Sequence, residues 1–120
     1  MTSAWLGWGA LCCAASVVAG AFGAHGLESR LDSDALELWE TAARYLMYAG
    51  LALMLMGARS TATAGLSWPQ ILLLAGAVVF CGTLFALALG APRWMGAVTP
   101  LGGLGMILGF LIFAWSALRG

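Results

Sequence analysis

Long apolar stretches separated by short polar ones dominate this chain of 120 residues. A helix needs about 20 mostly apolar residues to cross the hydrocarbon core of a membrane. Four stretches approach that length: residues 4–24, 36–58, 69–89 and 100–118. The pattern predicts an all-α membrane protein, a single domain over residues 1–120 that forms a four-transmembrane-helix antiparallel bundle with short loops.

Residues that favour helix starts support these limits. Pro69 and Pro100 stand where first turns are expected, because proline lacks an N–H that the first turn does not need. Thr99 is the predicted N-cap of the fourth helix. Asp34 and Glu37 are spaced like an acidic capping box at the start of the second.

Composition excludes several other classes. The chain is 62% hydrophobic and 8% charged, whereas soluble domains average about 45–50% and 25%. It carries five arginines, no lysine and a net charge of zero, which argues against binding nucleic acid. We expect an integral protein of the bacterial inner (cytoplasmic) membrane, with both termini in the cytoplasm, and we expect no cofactor.

The second span brings charge into the membrane. Its charge-free part, residues 45–58, is too short to cross, so the helix must include Glu40 and Arg44. These two lie four residues apart and share a helix face. His25 and Thr99 end and begin neighbouring spans at the same level. We therefore predict a polar cluster of His25, Glu40, Arg44 and Thr99, either a proton- or ligand-handling pocket or a structural latch.

Aromatic residues beside Arg44 suggest a second candidate site. Trp39, Tyr45 and Tyr48 could hold a lipid head group or a quinone next to the arginine. Tryptophan and tyrosine favour the membrane–water interface because their rings are apolar and their polar atoms need a wet partner. The sequence thus predicts a lipid-contacting site at the start of the second span.

Small residues dominate the remaining signals. Glycines at helical spacing let membrane helices approach closely, and six are predicted to pack helices together: Gly20, Gly82, Gly102, Gly103, Gly105 and Gly109. Cys12, Cys13 and Cys81 fall inside spans and are read as small apolar fillers. No second cysteine pair or histidine accompanies them, so we predict no metal site.

Four segments resemble one family of small integral membrane proteins, domain of unknown function 423, also called YgdD-like or transmembrane protein 256-like. The segments are 20–27 (GAFGAHGL), 43–48 (ARYLMY), 80–85 (FCGTLF) and 99–103 (TPLGG). Cys81, Thr83 and Phe85 depart from the family's third-span pattern, and Ala49 stands where members commonly carry a second histidine. The resemblance implies a four-helix membrane protein and supplies neither a substrate nor catalytic residues.

Three functions are compatible with these features. The first is a structural or accessory subunit that packs in a larger membrane complex or against copies of itself, with no catalytic residues. The second is a small proton or solute transporter or channel lined by the polar cluster. The third is a lipid- or quinone-binding protein. Since no nucleophile adjoins a base, we expect no enzyme, and we favour the subunit, whose partners would be lipids and membrane proteins.

Overall fold

A computed structural model describes residues 4–59 and 68–119. Four α-helices make up nearly all of this part of the chain: α1 (Ala4–Phe22), α2 (Ser33–Arg59), α3 (Trp68–Ala88) and α4 (Met95–Leu118). A π-helical turn, Gly23–Leu27, continues α1. The all-α prediction is confirmed.

Three of the described helical segments are long and apolar enough to cross a membrane: Ala4–Leu27, Trp68–Ala88 and Met95–Leu118. The α2 helix is long enough, with 27 residues, but its charged first half keeps it outside this group. Length and composition therefore support an integral membrane protein with three candidate spans.

Each helix packs chiefly against its neighbour in the chain, and all neighbours run antiparallel. Along α1 and α2, Gly9 lies beside Gly50, and Ser16 lies beside Ala43. Residue numbers thus rise along α1 where they fall along α2, as they must in two antiparallel helices. The same reversed order relates α2 to α3 and α3 to α4.

Two groups of buried side chains form the core. The larger joins α2, α3 and α4 and consists of Ala49, Leu53, Met56, Leu73, Ala77 and Met106. The smaller consists of Ala42, Cys81 and Leu84. The members of the two groups that belong to α2 share one side of that helix, and residues on the opposite side, such as Arg44 and Leu51, are exposed.

Two predicted helix starts are wrong. The α4 helix begins at Met95, and Thr99 and Pro100 lie inside it. Its first turn follows Pro92, whose carbonyl accepts a hydrogen bond from the Met95 N–H. At α2, the side chain of Asp32 accepts a hydrogen bond from the Ala35 N–H at 2.8 Å, so Asp32 caps the helix instead of an Asp34–Glu37 box.

Candidate functional site

The π-helical turn that contains His25 lies against the side chain of Trp39. A Cβ atom on Gly23 would lie 2.7 Å from Cδ1 of the Trp39 ring. The indole N–H of Trp39 donates a hydrogen bond to the Ala19 carbonyl at 2.7 Å. Glycine at position 23 is therefore required where the indole crosses α1. His25 itself is exposed.

The structure does not bring the members of the predicted polar cluster into contact within the described residues. Glu40 and Arg44 are both exposed, and within the described residues neither makes an ion pair or hydrogen bond with the other or with His25. The inward face of α2 is occupied by small and apolar side chains such as Ala42 and Ala43. Glu40 and Arg44 are consequently turned away from the helices that were expected to cover them.

Thr99 is half-buried and bonds to a different partner from the predicted one. Its hydroxyl lies 2.6 Å from the hydroxyl of Thr83 on α3, within hydrogen-bonding distance. The Thr83 hydroxyl also donates a hydrogen bond to the carbonyl of Val79, four residues earlier in the same helix. This hydroxyl pair links α3 to α4 and satisfies two polar groups at a level where apolar residues surround them.

A groove of about 340 Å³ lies between α2 and α4, and Phe80 of α3 is part of its lining. It is lined by Tyr45, Tyr48, Phe80, Gly103, Met106, Ile107 and Phe110. The ring of Tyr45 lies 5.2 Å from that of Tyr48 and 5.1 Å from that of Phe80. Apolar walls with a few polar groups are typical of sites for small hydrophobic ligands.

Of the three predicted lipid-site residues, the structure places Tyr45 and Tyr48 together in this groove and Trp39 elsewhere. Trp39 packs edge-on against Phe85 at 4.5 Å between ring centroids, at the junction of α1, α2 and α3. Its separation from Tyr45 and Tyr48 follows from helix geometry, since residues 39 and 45 point to different sides of α2. Trp39 serves packing instead of the groove.

The predicted packing glycines divide into two groups. A Cβ atom on Gly102 would collide with the backbone N of Phe80, and one on Gly109 would lie 2.9 Å from the backbone N of Leu73. A Cβ atom on Gly105 would lie 3.1 Å from the Gly76 Cα, whereas one on Gly103 would be in ordinary contact with the Phe80 ring. Gly20 and Gly82 do not pack against another described helix of this chain, because nothing lies within 4 Å of a Cβ atom at either position.

Other close-packing residues were missed by the sequence analysis. A Cβ atom on Gly9 would lie 2.6 Å from the Gly50 carbonyl oxygen, so α1 and α2 touch through their backbones. Ser16 is buried and its hydroxyl donates to the Ala43 carbonyl at 2.5 Å. An isolated serine within an apolar run is the signal that could have indicated this contact.

The cysteines lie within the helices, as their sequence positions require. Cys81 is buried in the smaller core group, and Cys12 and Cys13 are half-buried on α1. In the part of the chain that the structure describes, no group of three histidine, cysteine or acidic residues is placed to hold a metal ion. The thiols pack as small side chains beside glycine, as Cys13 does against Gly50.

Comparison with known proteins finds relatives that are named as membrane proteins. The chain is 46% identical to a UPF0382 membrane protein of Staphylococcus haemolyticus over 112 residues, which cover 92% of each chain. A UPF0382 membrane protein of Staphylococcus epidermidis is 43% identical over the same length and coverage. One from Staphylococcus saprophyticus is 46% identical over 105 residues, 87% of this chain and 88% of its own.

No solved structure matches the chain. Residues 19–103 match the family described as Protein of unknown function (DUF423). That segment contains the π-helical turn, the groove tyrosines and the threonine pair. The match and the relatives together show that this chain is an integral membrane protein of the DUF423 family.

Proposed function

We propose that the protein is a four-span membrane subunit without enzymatic activity, which assembles with other membrane chains through the exposed face of α2. A helix of 27 residues is about 40 Å long, enough to cross a bilayer. It packs antiparallel between α1 and α3, two helices of spanning length and composition. Its relatives are bacterial membrane proteins, which supports a place in a bacterial cytoplasmic membrane. We further propose that both termini face the cytoplasm.

The position of Arg44 along its neighbours carries the proposal. The adjacent Ala43 meets Ser16, which is near the middle of the Ala4–Leu27 span, and Tyr45 meets Phe80 on α3. Phe80 lies eight residues before the end of α3, about 12 Å along the helix axis. If α2 crosses beside these helices, the exposed side chain of Arg44 leaves its helix at a level within the hydrocarbon region.

A charge at that depth is costly unless it meets an opposite charge or a polar surface. No other described residue pairs with Arg44. Glu40 is nearer the end of the span, since its neighbour Trp39 contacts Phe85, three residues before the end of α3. A partner chain seated on this face would remove both side chains from lipid and satisfy them.

We expect replacement of Arg44 by glutamine to weaken the assembly. The wild-type protein should leave the membrane in mild detergent as a complex larger than one chain, and Arg44→Gln should shift it toward the single chain. Native mass spectrometry measures this shift. Arg93→Gln is the matched control, because Arg93 is exposed in the turn between α3 and α4. A wild-type protein that is a single chain at every detergent and protein concentration would contradict the proposal.

A second candidate function, binding of a quinone or a lipid chain, is favoured by the groove. Tyr45 and Tyr48 are 38% and 48% exposed, and their hydroxyls make no hydrogen bond with the described protein residues. Arg44 shares a helix face with Tyr48, one turn away. A lipid-soluble ligand with carbonyl acceptors would fill the apolar walls and bond to these donors.

Filling the groove tests this candidate. At Gly103 a Cβ atom would meet the Phe80 ring at an ordinary 3.5 Å, so a longer side chain would extend beside Phe80 and occupy the groove. Gly103→Leu is expected to lose most of any quinone or lipid that co-purifies, as measured by mass spectrometry of an organic extract. Gly82→Leu, at an open site, is the control. Equal amounts of each extracted compound from both variants would exclude the groove as its site.

A further inference from the structure

The exposed face of α2 is a continuous stripe that runs the length of the helix. Its members are Glu37, Glu40, Arg44, Tyr48, Leu51, Leu55 and Ala58, all of them exposed. They lie within an arc of about 80° on the helix surface. Six steps cover 21 residues, so the spacing averages about 3.5, the repeat that lets two parallel helices pack along a shared seam. We call these residues the α2 stripe.

Resting on the proposed function, we infer that the partner seated on the α2 stripe is a second copy of this chain. The stripe carries an acid and a base one turn apart, Glu40 and Arg44, and both are exposed and unpaired within the described chain. Such a surface is complementary to itself under two-fold rotation. Each copy then supplies Glu40 to the other's Arg44, and two reciprocal ion pairs form.

The membrane fixes the geometry of this pair. Two copies inserted in the same orientation are related by an axis along the membrane normal, which sets their α2 helices parallel. Glu40 of one copy and Arg44 of the other are then offset by about 6 Å along the axis. The long arginine side chain spans this offset diagonally, as in pairs across parallel coiled coils. Farther along the seam, Leu51 and Leu55 meet their counterparts.

Photocrosslinking in native membranes tests where the second copy sits. The photoreactive residue p-benzoylphenylalanine replaces Leu51 or Leu55 on the stripe, and Val18 on α1 or Leu111 on α4 in the controls, all exposed positions. We expect an adduct of twice the chain's mass from the stripe positions and little from the controls. If the stripe positions crosslink only to a different protein, the inference of a second copy is overturned, and the proposed subunit function stands. No protein adduct from the stripe overturns both.

Mixed variants test the reciprocal ion pairs. Two differently tagged copies are co-expressed, and the fraction that co-purifies is measured. Copies that both carry Glu40→Gln, or both Arg44→Gln, retain no pair, whereas one copy of each variant retains one of the two. The mixed combination is expected to co-purify about threefold better, the effect of one interhelical hydrogen bond of average strength. Equal recovery from all three combinations overturns the pairing.

Discussion

Replacing Gly76 with alanine is expected to destabilise the protein by about 3 kcal/mol, the upper part of the usual range for overpacking. A Cβ atom there would lie 2.5 Å from the backbone N of Met106 and 2.6 Å from the carbonyl oxygen of Gly102. Backbone atoms cannot rotate away as a side chain can. Relief would therefore require α3 and α4 to separate, which weakens contacts along their whole interface.

Gly82→Ala provides the control on the same helix. Nothing lies within 4 Å of a Cβ atom at Gly82, and alanine favours a helix over glycine by about 1 kcal/mol. We expect this variant to be as stable as the wild type or slightly more so. Unfolding by sodium dodecyl sulfate in mixed micelles, followed by circular dichroism, measures both free energies. Equal loss in the two variants would show that the α3–α4 contact at Gly76 is not as close as described.

The number and approximate limits of the helices could be predicted because hydropathy determines which segments avoid water. The predicted third span, 69–89, differs by one residue at each end from Trp68–Ala88. The start of α4 was misplaced because Thr99-Pro100 fits a helix start locally. In the fold, the turn after Pro92 begins the helix earlier, and Thr99 bonds to Thr83 across the interface. Rules for helix ends consider only nearby residues in the sequence, so they could not indicate the contact between Thr99 and Thr83.

The candidate site was less predictable because periodicity shows which residues share a face and not what covers that face. Glu40 and Arg44 do share a face of α2, and the sequence required both within the second span. His25 and Thr99 were assigned to the same cluster from their level alone. The α2 charges point outward because the other faces of the helix are occupied. Gly50 lies against Gly9 of α1, and Ala49 and Leu53 belong to the core group shared with α3.

This packing connects the fold to the proposed assembly. Close contacts cover the faces of α2 toward α1 and α3, whereas the described residues of the α2 stripe are exposed and available to a partner. A helix whose charges were needed for its own bundle would direct them inward, where pairing lowers their cost. On the proposal that α2 crosses the membrane, the outward placement of Arg44 favours contact with another chain over an internal latch.

Trp39→Ala is expected to lower the free energy of unfolding by about 3–5 kcal/mol, the range for removing a large aromatic side chain from a packed site. Trp39 bonds to the Ala19 carbonyl of α1, lies against Gly23 and packs on Phe85 of α3. One side chain thus joins three helices. Its loss leaves a cavity bordered by a glycine that cannot fill it.

Two further variants separate packing from hydrogen bonding at this junction. Trp39→Phe keeps an aromatic ring against Phe85 but removes the N–H that bonds to Ala19, so a smaller loss of about 1 kcal/mol is expected. Trp94→Ala, at a tryptophan that is 66% exposed, should leave stability in detergent nearly unchanged. Unfolding of the three variants in detergent ranks their losses in the free energy of unfolding. An equal loss of unfolding free energy in Trp94→Ala and Trp39→Ala would contradict this role of Trp39. The loss would then follow from removing any tryptophan, and not from a specific link among α1, α2 and α3.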